Sequence, residues 1–343
     1  MPEVILVSFV VIAYNEAANI ERTVASIDRL EGLREHEIIV VDDGSCDGTA
    51  QRVANIAKRN PYRGGIELKE NRGRGYARGR GVLEARGQLI AMVDADIVLP
   101  VDWLERAQAA LTDYDVVGGI AVPDGDVAYI HKRFGLVPRV VHGTTTVAGS
   151  NGLYRREVFD VVTFDPALRE GEDSALNHAM NRLGLSHATV PGMLVQHQES
   201  KAFATSLRWL FDTGRGATRQ LLVYHEVRQP DLAAGVFTGA AALGTYLALR
   251  GHRLIGPALP VGFVLAASVQ HVRSRFETSR SPRSKVAPAV AADSAMLAAY
   301  FAGRIAGVTA VWRHPDLASP RKAGCHAARS RRGQPRWKVT EPS

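Results

Sequence analysis

Residues Leu89–Pro100 read LIAMVDADIVLP. An unbroken apolar run, Leu89, Ile90, Ala91, Met92 and Val93, stops at Asp94-Ala95-Asp96, and apolar residues then resume. Five apolar residues in a row suit a strand buried on both faces of a parallel sheet. Two carboxylates at i and i+2 at the end of a strand project to the same side. Like charges side by side at an apolar rim are costly unless a cation lies between them. The carboxyl ends of strands in open α/β sheets are also where ligands bind. The triplet reads as one lip of a ligand site, with a solvated turn as the competing reading.

Outward from this strand the chain alternates strands and helices. Val4–Ala13 is apolar and ends at Tyr14-Asn15-Glu16, which suits a first central strand. Asn19–Leu30 carries Ile20, Val24, Ile27 and Leu30 at helical spacing. Glu37–Val41 is a second buried strand ending in Asp42-Asp43-Gly44-Ser45, and Ser45 or Asp47 can cap a helix over Gly48–Arg59. A short strand at Ile66–Leu68 leads through Asn71-Arg72-Gly73-Arg74-Gly75 into a helix reaching about Glu84. Such alternation predicts βαβ units and a mostly parallel sheet. Beyond Pro100 the expectations are a helix over Asp102–Leu111 with Asp102 as N-cap, and a strand over Val116–Val122. A long loop over Pro123–Thr146 comes next, then a tight turn at Gly149-Ser150-Asn151-Gly152. Ser174–Leu183 forms an amphipathic helix behind Glu170-Gly171-Glu172-Asp173, and Met193–Val195 is a last strand ending near His197.

Of 343 residues 46% are hydrophobic and 22% charged, the composition of a folded protein with an ample core. Cys46 and Cys325 are too few for a disulfide framework and suit a reduced setting. MPEVILVSFVVIAYNE has neither a basic leader nor a small-residue cleavage site and reads as a strand. From Leu232 the character changes. Leu232–Leu249 and Leu254–Gln270 hold no charge and are separated by Arg250-Gly251-His252-Arg253; Val286–Val311 is apolar apart from Asp293 and Arg304. The first two are at the short end for crossing a bilayer, and a buried core hairpin is the competing reading. Basic flanks favour the membrane, and the five positive charges of Arg273–Lys285 belong on its cytoplasmic side. The third segment either spans or lies at the interface. The net charge of +7 is concentrated after residue 270, beside the apolar segments, and points to an anionic membrane surface and not to nucleic acid. The expected division is a catalytic domain over 1–225, membrane-associated helices over 226–312 (the hairpin 232–249/254–272 plus 286–311) and a basic tail over 313–343.

Six segments carry a resemblance: VVIAYNE (Val10–Glu16), VVDDGSCDGT (Val40–Thr49), NRGRGYARGRG (Asn71–Gly81), VDAD (Val93–Asp96), GSNGLYRR (Gly149–Arg156) and EGEDSAL (Glu170–Leu176). Their order and kind over about residues 5–215 resemble the family 2 glycosyltransferases, which have the GT-A nucleotide-sugar fold. The resemblance implies that Asp43, with Asp42 close behind, accepts from the nucleotide base, while Glu16 beside Tyr14 helps hold the ribose. Arg74 or Arg78 would contact the diphosphate. Asp96 would be the direct metal ligand, with Asp94 beside it and His197 where some members supply another. Asp173, the second acid of Glu172-Asp173, would be the base, and Asn151, Glu172, Arg208 and Trp209 would lie near the acceptor or its closure.

The residues admit physical readings of their own. A Gly-rich entry to a helix is a common phosphate cradle; a dinucleotide fingerprint would have to follow the first strand, a place held here by Tyr14-Asn15-Glu16. Mg²⁺ or Mn²⁺ accepts one or two carboxylates plus phosphate oxygens. A single displacement inverts configuration and needs one base. The bland alternatives are that Asp42-Asp43-Gly44-Ser45 is a turn with a cap, that Glu172-Asp173 merely caps a helix, and that His197 is structural.

The expected protein is a membrane-attached, metal-dependent, inverting glycosyltransferase at the cytoplasmic face of the cell membrane. It would move a sugar from a nucleotide-sugar, a UDP-sugar, to a hydroxyl of a lipid-linked saccharide. One alternative is a polyprenyl-phosphate sugar synthase, whose acceptor is already ionised. The other is a catalytically inactive membrane scaffold, against which the intact Asp94, Asp96 and Asp173 speak. Processive synthases carry a Gln-rich motif of which only Arg208-Trp209 is present, so repeated polymerisation is not expected.

Overall fold

The computed structural model describes residues 6–59, 63–123, 147–198, 203–224, 229–279 and 286–313. The chain divides at residue 200 into two compact units. The first contains β1 (Val7–Ala13), α1 (Ile20–Ile27), β2 (His36–Asp42), α2 (Thr49–Arg59), β3 (Arg63–Glu67), α3 (Arg74–Glu84), β4 (Leu89–Asp94), β5 (Ile97–Val98), α4 (Trp103–Ala110), β6 (Val116–Pro123), β7 (Asn151–Arg155), α5 (Val158–Val161), α6 (Glu172–Leu183) and β8 (His187–His197).

The eight strands form one sheet in the order β3-β2-β1-β4-β7-β6-β8-β5. β1 to β4 are parallel, β7 runs antiparallel between β4 and β6, β8 is parallel to β6, and β5 is antiparallel to β8. The apolar runs are explained by burial on both faces. Phe9, Val11, Ile38, Val40, Ala91 and Val93 pack against α1, α2 and α4, including Ile20, Val24, Ile56 and Trp103. Their neighbours Val10, Ile12, Ile39, Val41, Ile90 and Met92 pack on the other face against Ala77 and Val82 of α3 and Leu176 and Met180 of α6. Successive side chains in a strand point to opposite faces, so a strand covered on both sides must be apolar throughout. The register brings the strand ends together: Ala13 pairs with Asp42 and Ile12 with Asp94, so the carboxyl ends of β1, β2 and β4 finish at one level.

Most expected elements are present within about three residues, and Asn151 and Gly152, read as part of a turn, begin β7. β8 is the main difference, beginning at His187 and not at Met193. Its first half, HATVPG, is partly exposed and lacks the apolar run that marks the central strands. The loop expected over Pro123–Thr146 lies, from residue 124 on, outside the described residues, as do 280–285 and 314–343.

The second unit contains α7 (Phe203–Tyr224), α8 (Gln229–Leu249), α9 (Ile255–Ser279) and α10 (Val286–Arg313). α7 thus groups with the apolar helices, across the boundary drawn at residue 225 from the sequence. Leu232–Leu249, Ile255–Arg273 and Val286–Thr309 are each long and apolar enough to cross a membrane. Close approach is made by small residues: a Cβ on Gly244 would collide with the Gly256 carbonyl, and one on Gly303 would collide with the Phe211 carbonyl. Phe237 stacks on Phe301 with centroids 4.5 Å apart, and Phe263 joins them at 6.1 Å from Phe301. Leu232, Val236, Leu243, Leu254, Val261 and Val308 stay exposed, an apolar surface suited to lipid.

Candidate active site

The loop after β1 is gripped by the loop after β2. Asn15 adopts φ 58, unusual for a residue with a side chain. Its amide donates to Ser45 Oγ at 2.8 Å, and its own Oδ1 accepts from the Cys46 amide at 2.9 Å. The Glu16 amide donates to Thr49 Oγ1 at 2.9 Å and the Ala17 amide to Asp47 Oδ2 at 3.0 Å. Tyr14 is exposed above this clasp, and Glu16 accepts from Asn19 Nδ2 at 2.8 Å.

Asp42 and Asp43, both buried, have different work. Asp43 spends its two oxygens on the backbone amides of Arg72 (2.7 Å) and Gly73 (2.8 Å), tying β2 to the start of α3. Asp42 accepts from the amide and hydroxyl of Ser45 through Oδ1, while its Oδ2 is buried with no hydrogen-bond partner. Burial raises the pKa of both carboxyls above the ordinary value. The geometry sets the two apart: Asp42 has the unsatisfied acceptor, and Asp43 fixes the loop.

The entry to α3 is not an open phosphate cradle. Besides the amides held by Asp43, Arg74 N donates to the Arg169 carbonyl at 3.3 Å and Gly75 N to the Leu168 carbonyl at 3.0 Å. Gly73 has φ 93, and a Cβ there would stand 2.5 Å from Arg169 Cα, so this glycine serves the close packing of 165–169 on the helix. What remains for an anion is the exposed side chain of Arg74. Desolvation would lower its pKa, but Glu172, Asp94, Glu170 and Asp173 surround its charge and outweigh that effect.

Asp94-Ala95-Asp96 is held from behind by α1. Thr23 Oγ1 donates to the Ala95 carbonyl at 2.6 Å, Ala95 N donates to the Ile12 carbonyl at 3.0 Å, and Ser26 Oγ accepts from Leu99 N at 3.1 Å. The two acids then diverge. Asp94 Oδ1 accepts from Arg78 Nη2 at 2.7 Å. Burial alone would raise its pKa, but Arg78, then Arg74 and His197, hold it below the usual carboxylate range. Asp96 Oδ2 lies 2.9 Å from His197 Nε2, while its Oδ1 is buried without a hydrogen-bond partner. Among the described residues no three His, Cys, Asp or Glu side chains gather to hold a metal by themselves. Asp96 with His197, and an orphaned carboxylate oxygen, fits an ion whose other ligands come from phosphate oxygens. Asp94 instead directs an oxygen to Arg78.

Arg78, expected at the diphosphate, is buried. Its Nε donates to Glu172 Oε1 at 3.0 Å, its Nη2 to Asp94, and its Nη1 to the Gly149 carbonyl. Glu172 is likewise buried, and burial, followed by the nearby Asp173, raises its pKa. Asp173 is half-exposed in the first turn of α6, within electrostatic reach of Arg74. Asn151 lies in the core. It is fully buried, taking Trp103 Nε1 on Oδ1 at 2.7 Å and donating to the Met193 carbonyl at 3.0 Å. Arg208 and Trp209 lie on α7 in the second unit. One cluster thus joins Arg74, Arg78, Asp94, Asp96, Glu172, Asp173 and His197, and Asp42 ends β2 at the level at which β4 ends in Asp94. The supporting tasks of Thr23 and Gly149 are not marked in their local sequence, because their partners are 72 and 71 residues away.

Residues 8–163 match the family described as Glycosyl transferase family 2. A dolichyl-phosphate beta-glucosyltransferase of Trichomonas vaginalis is 35% identical over 170 residues, 44% of this chain and 50% of that protein. The succinoglycan biosynthesis protein ExoO of Rhizobium meliloti is 35% identical over 194 residues, 50% of this chain and 54% of that protein. The chain thus spans about half the length of these two relatives. An undecaprenyl-phosphate 4-deoxy-4-formamido-L-arabinose transferase of Aeromonas hydrophila is 29% identical over 306 residues, 79% of this chain and 91% of the relative. Among solved structures, a mannosyltransferase of Pyrobaculum calidifontis in complex with GDP-Man and Mn²⁺ superposes with a TM-score of 0.56 at 20% identity, covering 88% of this chain and 86% of that one. That likeness is one of fold.

Proposed function

We propose that this chain, whose residues 8–163 match Glycosyl transferase family 2, moves a sugar from a nucleotide-sugar to the phosphate of a membrane polyprenyl phosphate. One observation carries the choice of acceptor. The similarity to the undecaprenyl-phosphate transferase of Aeromonas hydrophila runs over 79% of this chain, well beyond the residues of the family match. The Trichomonas vaginalis relative is likewise named for a polyprenyl-type phosphate, dolichyl phosphate. The saccharide hydroxyl favoured by the sequence alone takes second place.

In this reading Asp42 accepts from an N–H of the base, Glu16 and Tyr14 flank the ribose, and Arg74 meets the diphosphate. Asp96 and His197 would hold Mg²⁺ or Mn²⁺; such an ion supplies charge neutralisation of the leaving diphosphate. The donor is proposed to be a UDP-sugar. A phosphate monoester is largely ionised at neutral pH, with a second pKa of about 6. It therefore attacks the anomeric carbon without first surrendering a proton, in one inverting displacement. The apolar helices would hold the chain at the lipid acceptor, with the basic Arg273–Lys285 stretch on the cytoplasmic side.

The second reading is favoured by Asp173, a half-exposed carboxylate in a helix first turn beside the cluster. A hydroxyl acceptor would need it as base. The Asp173→Asn variant separates the two. With polyprenyl phosphate as acceptor it should retain turnover within about 10-fold of wild type; general-base catalysis is worth roughly 10²–10⁴-fold. A loss beyond that lower bound, with donor binding intact, would favour the hydroxyl acceptor.

A further inference from the structure

We infer that Arg78 is a positioning residue, which sets the first turn of α6 against the rim of β4 and holds the Asp94-Ala95-Asp96 turn in register, and does not bind the donor. The inference rests on the proposed transfer reaction and concerns how its site is held in register. Arg78 is buried, at 2% exposure, so its guanidinium is not offered to a ligand. Each of its three nitrogens donates to the protein: Nε to Glu172 at 3.0 Å, Nη2 to Asp94 at 2.7 Å, and Nη1 to the carbonyl of Gly149. These partners belong to three segments, the N-terminus of α6, the end of β4 and the turn before β7, and the arginine itself comes from α3. A planar fork with donors on fixed sides can hold three acceptors in one geometry, which the single ammonium of a lysine cannot.

The sequence around the fork is built to admit it. A Cβ on Gly149 would stand 2.9 Å from Arg78 Cζ and 3.0 Å from its Nε, so a side chain there would press on the guanidinium. Arg78 also lies over the Phe164 ring, with its Cζ 5.9 Å from the centroid. Glu172, nearly as buried, has Arg78 as its ion-pair partner and directly precedes Asp173. The bond to Glu172 therefore fixes the first turn of α6, and the bond to Asp94 fixes the turn that carries Asp96. A displacement of about 1 Å within a site, caused by a change outside the chemistry, can cost on the order of 10²-fold in rate. Arg74, one helical turn earlier and exposed, is the arginine of α3 left for the diphosphate.

Steady-state kinetics of the full chain in detergent test this, with a panel of UDP- and GDP-sugars as donors and polyprenyl phosphate and a lipid-linked saccharide as acceptors. Arg78→Lys should lower kcat by about 10- to 100-fold while the donor KM and inhibition by UDP or GDP stay within about 3-fold of wild type. Arg78→Met should fall further than Arg78→Lys. Arg74→Gln should do the opposite, raising the donor KM and abolishing the preference for nucleoside diphosphate over monophosphate as inhibitor. If Arg78→Lys weakens diphosphate inhibition as Arg74→Gln does, or leaves kcat unchanged, the inference is overturned. Should the Arg78 variants fail to accumulate as folded protein, Glu172→Leu keeps the volume but takes the acceptor from Arg78 Nε, and must show the same kcat loss at constant KM. A normal kcat in that variant also overturns the inference. A wild type inactive on every donor with either acceptor overturns the transfer reading itself, and this inference with it; activity on the saccharide alone overturns only the choice of acceptor.

Discussion

His197 Nε2 lies 2.9 Å from Asp96 Oδ2, although 101 residues separate the two. The contact is made by the backbone: Ile97 pairs with His197 in the short β5–β8 ladder, and Gln198 N donates to the Asp96 carbonyl at 2.8 Å. A two-residue strand after the Asp94-Ala95-Asp96 turn thus brings a histidine to the second carboxylate. Together they make a donor pair at the rim where β1, β2 and β4 end.

The pair predicts the metal response. Asp96→Ala should reduce transfer by at least about 100-fold at any Mn²⁺ concentration. His197→Gln should raise the Mn²⁺ needed for half-maximal activity by roughly 10-fold, in the range seen when a supporting metal-site residue is changed. Titration of activity with Mn²⁺ and Mg²⁺ checks both, and unchanged curves would remove these residues from the metal site.

The neighbouring acids at the end of β2 predict a split between stability and binding. Asp43→Asn loses two charge-assisted bonds to the amides of Arg72 and Gly73. Bonds to charged groups are worth about 1.5–3 kcal/mol each, so the melting temperature should drop. Asp42→Asn alters a carboxyl with an unsatisfied Oδ2 and should leave the melting temperature nearly unchanged while weakening nucleotide inhibition by about 10-fold. Melting curves and inhibition constants on the two variants would show the reverse pattern if Asp43 read the base.

Acid should loosen the fold through Asp94. Its carboxyl is held below the usual range by Arg78, against the opposing effect of burial. A depressed acid stabilises the folded state above its unfolded pKa of about 3.9, and that contribution is lost as pH falls through the lower folded value. Urea midpoints between about pH 2 and 6 should therefore decline toward acid in the wild type, and Asp94→Asn should flatten this limb of the curve.

Glycines in the helical unit separate those that pack from those that do not. A Cβ on Gly303 would collide with the Phe211 carbonyl, whereas Gly235 and Gly239 have nothing within 4 Å. Gly303→Ala should destabilise by about 1–3 kcal/mol, the usual cost of overpacking. Gly235→Ala and Gly239→Ala should be neutral or stabilising by up to about 1 kcal/mol, from helix propensity. Thermal unfolding of the full chain in detergent distinguishes them.

The central sheet was legible because β1, β2 and β4 are buried on both faces, which leaves an unmistakable apolar signature in a short window. The site was legible where a carboxylate ends such a strand, as Asp42 and Asp94 do. It was less legible where long-range satisfaction decides a residue's task. Asn71–Gly81 has the composition of a phosphate cradle, but its amides are taken by Asp43 and by the carbonyls of Leu168 and Arg169. Arg78 has the look of one more cation for the diphosphate, yet Glu172 and Asp94 claim its fork. Asn151 lies in a matching segment but serves to pin Trp103 to the β8 backbone. In each case the deciding partner lies tens of residues away, beyond any local pattern.

The most direct test offers the full chain, in detergent or liposomes with Mn²⁺, a panel of radiolabelled nucleotide-sugars and one acceptor, undecaprenyl phosphate. The account predicts a lipid-extractable product with the sugar on the phosphate, formed by the wild type and lost in Asp96→Ala. No labelled lipid with any donor, alongside transfer to the hydroxyl of a lipid-linked saccharide, would contradict it.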